Sequence, residues 1–382
     1  MSASLVVLSF GPLAPFLQED LIISRAQIGL FTSTVYVGTL FLGAICGWLV
    51  DRFRVRRFLL LGPGLVGLFF VGLSHAPSYG VALLFVFLGG VGYVFVNPSA
   101  AKALTHWFPL RSRATAIGIM KSGVPAGGAV GAAVLPSLAL ILGWRNALTS
   151  VAVAVIVFGA IAMTLYRDER SSRESTEASV PGLRQLRQVL TNRNILLLGG
   201  LGTVFSGVQL SISTYLILFL KEAVRLPVVM AGTYLTVASL SGIAGRILWG
   251  VISDRAFDGQ RKIVLSIIGF LIAAIAISIS FLFATAPWWL LYLMVAILGF
   301  CAFGWTTVFI TFLSELGGRD QAATAVGFGI ALCSLGVIFG PPLFGYIVDT
   351  THSYTVAWSV FGICVALGGG LMTLIREQRA GG

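Results

Sequence analysis

Two cations lie inside apolar sequence, and their positions limit what they can be for. Arg246 sits in "SGIAGRILWGVISDR" (241–255) and Lys121 in "AIGIMKSGVPAGGAVG" (116–131). Each is eight residues from a charge that marks the end of its apolar run, Asp254 for the arginine and Arg113 for the lysine. Eight residues of helix rise about 12 Å, which is near the middle of a hydrocarbon layer about 30 Å thick. A cation there costs roughly 2.5–3.5 kcal/mol on an insertion scale, so something must offset it. None of the fourteen acidic residues falls at that depth. Asp51, Asp168, Glu169, Glu174, Glu177, Asp254, Asp258, Glu315, Asp320 and Glu377 gather at one set of run ends, and Glu19, Asp20, Glu222 and Asp349 at the other. The sequence thus lacks a mid-run carboxylate that could relay protons, and an anion taken from solution is the natural counter-charge for both cations. The alternative is that both side chains snorkel to the interface, which the flexible lysine stem does more readily than arginine from mid-helix. Lys102 is shallower. Tyr93, Asn97, Gln209, Trp305 and Thr306 share the depth of the two cations and offer hydrogen bonds or an apolar wall, although each equally suits a contact between helices.

The elements that hold these residues are long and apolar. The 382-residue chain is 57% hydrophobic and 10% charged, with a mean hydropathy of +0.96, more apolar surface than a soluble domain can shield from water. Its net charge of +11 comes from short clusters between apolar runs, with no hydrophilic domain to carry a basic face, so nucleic acid is excluded as a partner. The four cysteines, Cys46, Cys301, Cys333 and Cys364, fall within apolar runs without metal-ligand spacing and read as small core residues. His75, His106 and His352 stand at run ends. No metal or catalytic cluster, no cofactor and no enzyme activity is expected.

Twelve apolar runs, from 1–17 to 354–375, predict twelve membrane-spanning helices and an all-α fold. If the spans alternate, Arg52, Arg54, Arg56, Arg57, Arg111, Arg113, Arg167, Arg170, Arg173, Arg184, Arg187, Arg193, Arg255, Arg261, Lys262, Arg319, Arg376 and Arg379 share one side. Only Arg25, Arg145, Lys221 and Arg225 take the other, so the positive-inside rule puts both termini in the cytoplasm. The chain reads as a multi-pass protein of the bacterial cytoplasmic membrane type. Its long hydrophilic segment, 167–193, is a cytoplasmic linker between six-helix halves at 1–166 and 194–382. Aligning the halves puts the start of the first helix roughly nine residues before Met1, so that helix is expected to be shortened.

The halves repeat each other. "LGAICGWLVDR" (42–52) matches "GRILWGVISDR" (245–255), and "FLQEDLIISRAQIG" (16–29) matches "FLKEAVRLPVVMAG" (219–232), both at an offset of 203. "WFPLRSRATAIGI" (107–119) matches "ATAVGFGI" (323–330) at 209. Where the second half has Arg246 the first has Gly43.

Twelve spans in two halves, with G-x-x-x-D-R after the second and eighth, resemble the major facilitator superfamily over nearly the whole chain. The loop signature is Gly47, Asp51, Arg52, Arg56 and Arg57, with Arg54 where the family usually has glycine. The resemblance implies that Asp51, Arg52, Arg56 and Arg57, with Asp254 and Arg255, help lock the halves together at their cytoplasmic ends; the plain alternative is that they only set topology. It also implies that helices 1, 4, 7 and 10 line a central cavity, which is where Tyr93, Asn97, Gln209, Trp305 and Thr306 fall. Arg246 four residues before Gly250 is similar to the anion-contacting arginine of nitrate porters, oxalate/formate antiporters and monocarboxylate transporters, with "GRILWGVISD" closest to the oxalate/formate type. Two departures stand out: Gly242 replaces an aspartate common in monocarboxylate transporters, and the second cation is Lys121 on helix 5 and not a residue of helix 11. "SGVPAGGAVG" (122–131) resembles the glycine-proline motif of antiporters with one residue missing between proline and glycine; close helix packing, with a bend at Pro125, explains it as well.

The expectation is a secondary transporter of a small organic anion, a mono- or dicarboxylate, with Arg246 and Lys121 as counter-charges. It would work as a monomer in the lipid bilayer by alternating access. An efflux carrier for apolar or cationic compounds is the alternative, and a membrane sensor without transport is third.

Overall fold

The computed structural model describes residues 1–53, 55–107, 110–166, 188–282 and 286–375, and among them there is no strand. Helices follow from the solvent: in hydrocarbon every backbone N–H and C=O must find a partner inside the chain, and a helix supplies one within its own segment. In order they are α1 (Ser2–Val7), α2 (Phe10–Leu21), α3 (Arg25–Arg52), α4 (Val55–Ser74), α5 (Tyr79–Trp107), α6 (Leu110–Leu142) and α7 (Trp144–Leu165). After the linker come α8 (Arg193–Glu222), α9 (Val228–Arg255), α10 (Arg261–Leu282), α11 (Trp288–Ala302), α12 (Thr306–Thr351) and α13 (Tyr354–Leu371). Among the described residues, eleven segments are long and apolar enough to cross a membrane. The first apolar run forms a broken pair, α1 and α2, interrupted at Leu8 and Ser9.

Helices outrun the apolar stretches because their charged ends remain helical. The second apolar run of the sequence, 28–50, lies in a helix that begins earlier, at Arg25, where Ser24 caps it reciprocally: Ser24 Oγ accepts from the Gln27 amide at 3.2 Å, and Gln27 Oε1 accepts from the Ser24 amide at 2.8 Å. At the other end α3 and α9 continue through Asp51–Arg52 and Asp254–Arg255. The tenth apolar run of the sequence, 288–313, is not one helix. It breaks at residues 303–305, between α11 and α12, and α12 then carries the eleventh run past a turn at Gly318, whose φ of 63° suits glycine. Pro125 and Pro136, by contrast, lie within an α6 that stays helical throughout.

The chain forms two compact units, one of Met1–Glu174 with Ser213–Thr236 and one of Ser175–Ile212 with Val237–Gly382. An aromatic cluster joins α2, α3 and α4 in the first: Phe10 stacks on Phe31 at 5.4 Å and meets Phe70 at 5.7 Å. In the second, the fully buried Trp305 stands edge-on to Phe205 and Phe309, with ring centres 5.4 and 4.9 Å away.

The internal repeat is visible in the closest backbone approaches. A Cβ on Gly90 of α5 would come within 2.4 Å of the Val35 carbonyl oxygen of α3, and one on Gly299 of α11 within 2.1 Å of the Ala238 oxygen of α9. Gly90 and Gly299 are 209 residues apart, Val35 and Ala238 203, the same offsets that align the sequence. No side chain larger than hydrogen fits at either crossing, which is how helices with no hydrophobic drive between them in lipid reach dense packing.

Candidate functional site

The break at 303–305 is the centre of the second unit's polar chemistry. At the end of α11 the Gly299 and Cys301 oxygens accept from the amides of Phe303, Gly304 and Trp305, but among the described residues no backbone amide reaches the Phe300 and Phe303 oxygens, and an orphan carbonyl in an apolar layer is costly. Side chains of α9 supply donors. Arg246 donates from Nε to the Phe303 oxygen at 3.0 Å, and Trp249, three residues on and so on the same face, donates from Nε1 to the Phe300 oxygen at 3.3 Å. The helices touch closely enough for this because both sides are glycine: a Cβ on Gly245 would fall 2.1 Å from the Phe300 oxygen, and one on Gly304 2.8 Å from the Gly245 carbonyl carbon. Across the break Trp305 donates from its indole to Gln209 Oε1 of α8 at 2.9 Å. Thr306, partly buried, opens α12 at the next position.

Of the seven substrate-contact candidates, four therefore gather here: Arg246, Gln209, Trp305 and Thr306. Among the described residues the first half has no such arrangement. Its counterpart of α11 and α12, α5, is continuous through the equivalent positions, and Gly43, in the place of Arg246, has nothing within 4 Å of where a Cβ would stand. Arginine and helix break occur together, in one half.

The other three candidates belong to the first unit. Tyr93 is buried on α5, its hydroxyl 3.5 Å from Ser4 Oγ of α1 and its ring edge-on to Tyr36 at 6.2 Å. Asn97 lies one turn along the same helix and is exposed, and Lys121 is exposed on α6. Sequence reasoning missed Trp249, Tyr36 and Ser4. The Arg246–Trp249 spacing was the available signal for the first, while nothing in their neighbours marks Tyr36 or Ser4.

The gating candidates divide unevenly. The side chain of Asp51 lies outside the described residues. Arg52, Arg57 and Arg255 are exposed at helix ends, and Arg56 donates from Nε to the Met163 oxygen near the end of α7 at 2.8 Å. Asp254 pairs with Arg261, the first residue of α10, at 2.5 Å. That arginine, 12% exposed, also reaches Ser253 Oγ at 2.8 Å and Glu315 of α12 at 3.2 Å, tying three helices together. In sequence Arg261 is marked only as one of the topology-setting cations.

A second charged cluster joins helix ends within the first unit. Arg25 of α3 donates from Nε and Nη2 to Glu222 Oε2 at the end of α8, at 3.1 and 2.7 Å, and Lys221 pairs with Glu19 of α2. Arg145 of α7 meets Asp20 at 2.8 Å. Beneath them Tyr215 donates to the Arg25 oxygen at 2.7 Å, and Thr214 to Thr32 at 3.1 Å. The repeat held a hint of this: Glu222 is the counterpart of Glu19, and each takes a cation from the opposite segment.

The sequence matches the family profile of the Major Facilitator Superfamily over residues 1–341. The chain belongs to this superfamily. It is accordingly a multi-pass membrane transport protein and not an enzyme. Among its relatives are the hexuronate transporter of Bacillus subtilis (strain 168), 23% identical over 91% of this chain and 85% of that one, and the probable sulfoacetate transporter SauU of Cupriavidus necator, 24% identical over 93% and 86%. Among solved structures, the fold is shared with a bacterial homolog of the human lysosomal transporter Spinster, in an inward-facing and unoccupied conformation, with a TM-score of 0.83 at 18% identity over 99% of this chain and 96% of that one.

Proposed function

We propose that this major facilitator protein is a secondary active transporter of a small organic anion carrying one or two carboxylates, moved by alternating access between halves 1–166 and 194–382 joined by the 167–193 linker. The observation that carries the reading is Arg246, a partly buried guanidinium held by its Nε at a helix break beside a hydrogen-bonded tryptophan and glutamine. A guanidinium whose plane is fixed by one bond is pre-organised to receive a carboxylate, so less ordering entropy is lost on binding. Lys121 supplies the second charge, Tyr93 and Asn97 hydrogen bonds. Two relatives carry names of anions, hexuronate and sulfoacetate, which supports the charge class without choosing the compound.

The protein works as a monomer in the lipid bilayer, with both termini and the linker cytoplasmic, and Asp51, Arg52, Arg56, Arg57, Asp254 and Arg255 gate the cytoplasmic end. The cluster of Arg25, Glu222, Glu19 and Lys221 is then an outer latch. Thiol labelling in intact cells checks the orientation: a cysteine replacing Ser175 reacts with a permeant maleimide only, and reaction with an impermeant one would invert every depth assigned above.

Function is tested by uptake into proteoliposomes of radiolabelled monocarboxylates, dicarboxylates and a hexuronate, with the neutral hexose as control. At least one acid should enter at ten times the control rate and be competed by its unlabelled form. Transport confined to apolar or cationic compounds would replace this reading with an efflux carrier.

A further inference from the structure

The second unit has a groove that none of this machinery uses. It runs between the first half of α8 and the last half of α13, has a volume of about 500 Å³, and is lined by Leu196, Leu197, Leu201 and Val204 on one side and Leu367 and Leu371 on the other. The lining is apolar except at one end, where Thr191 and Arg193 form the mouth. Val204 lies eleven residues beyond Arg193 on α8, about 17 Å of helix rise, which is close to half of a hydrocarbon layer about 30 Å thick. Midway, Gly200 leaves the groove open: nothing lies within 4 Å of where its Cβ would be. The Arg193 side chain is exposed and has no hydrogen bond or ion pair to another described residue.

We infer that this groove is a binding site for an anionic glycerophospholipid, one acyl chain lying along the leucines and the phosphate held by Arg193 and Thr191. Charge and shape agree on this occupant. A purely apolar ligand has no use for a guanidinium at the mouth, and a free phosphate has no use for a leaflet-deep apolar trough. Basic pockets between helices at the cytoplasmic surface hold lipid head groups by this combination of charge and burial. Which leaflet supplies the lipid rests on the orientation proposed above; the site itself does not.

The groove carries its own reporter, Cys364, an exposed thiol on its α13 wall; Cys46 and Cys301 are buried and Cys333 partly so. The purified full chain is compared in mixed micelles containing phosphatidylglycerol or phosphatidylcholine, a format that reads binding whichever way the protein faces in a cell. Phosphatidylglycerol should slow alkylation of Cys364 by N-ethylmaleimide at least fivefold relative to phosphatidylcholine, and native mass spectrometry should find one phosphatidylglycerol retained. Arg193→Gln should erase both differences, and Gly200→Leu, which fills the trough, should also lose the retained lipid while the melting temperature in phosphatidylcholine stays put. Equal alkylation in the two lipids, or a preference that survives Arg193→Gln, overturns the inference. So does protection by inorganic phosphate alone, which would reduce the site to an anion contact.

Discussion

Arg246→Ala should leave no anion transport above empty-liposome background, and the substrate should no longer raise the melting temperature of the purified variant. The second readout follows from linkage, since only a ligand that binds the folded state stabilises it. The alanine variant alone is ambiguous, because the same side chain donates to the Phe303 oxygen at the break between α11 and α12. Removing it orphans a carbonyl at a cost of roughly 1–3 kcal/mol, which offsets the relief of no longer desolvating a cation. Arg246→Lys separates the two roles. An ammonium is a point charge that cannot hold the helix break with one edge and a carboxylate with a planar fork. The lysine variant should therefore fold and insert, yet lose at least tenfold in kcat/KM, about 1.4 kcal/mol, with most of the change in KM because the contact is made to the bound ground state. An alanine variant that carries carboxylates at the wild-type rate would show that the arginine only closes the helix end.

The fold was legible because a bilayer leaves few options. Twelve apolar runs, a basic loop bias and two repeat offsets led to a major facilitator architecture, and Gly90 and Gly299 meet their neighbours at the spacing the repeat requires. The break at 303–305 was not legible. "GFCAFGWTTVF" (299–309) reads as one continuous apolar run, and the cause of the break lies partly on another helix, in the donors of α9. Depth could be counted from a run's end, so Arg246, Gln209, Trp305 and Thr306 could be placed at one level. That Trp305 bonds Gln209 while Arg246 bonds the backbone depends on rotamers and helix rotation, which counting residues does not fix. The Arg25–Glu222 pair was hidden for a different reason: partners 197 residues apart were seen as like-sided loop charges, and topology rules say nothing about who faces whom.

That pair sets up the other large effect. Arg25 and Glu222 are each one-quarter exposed, and two donors of the guanidinium converge on one carboxylate oxygen. Charge-assisted bonds of this kind are worth about 1.5–3 kcal/mol when shielded, and partial exposure reduces that toward about 1–2 kcal/mol. If the pair holds the outer end shut, removing it should raise the population of the outward-open state about tenfold. Thr32 and Thr214 report this directly, since both are buried beneath the latch and bonded to each other at 3.1 Å. In a Cys364→Ser background, an impermeant maleimide should alkylate Thr32→Cys about ten times faster once Arg25→Gln is added. The neighbouring Lys221–Glu19 pair remains, so the latch weakens without disappearing. Reversing the charges distinguishes attraction from packing. Arg25→Glu or Glu222→Arg alone places like charges together and should open the outer end further, while the double variant restores an opposite pair and should return the rate to within about threefold of its starting value. Turnover should follow the same order, because a carrier biased to one side waits longer for its return step. If the double variant is as open as either single one, or if Arg25→Gln leaves the Thr32→Cys rate unchanged, the charges are surface decoration and the closure belongs to the helix packing beneath them, where Gly11 and Gly232 approach the backbone of Ser213 and Ala132 too closely for any side chain.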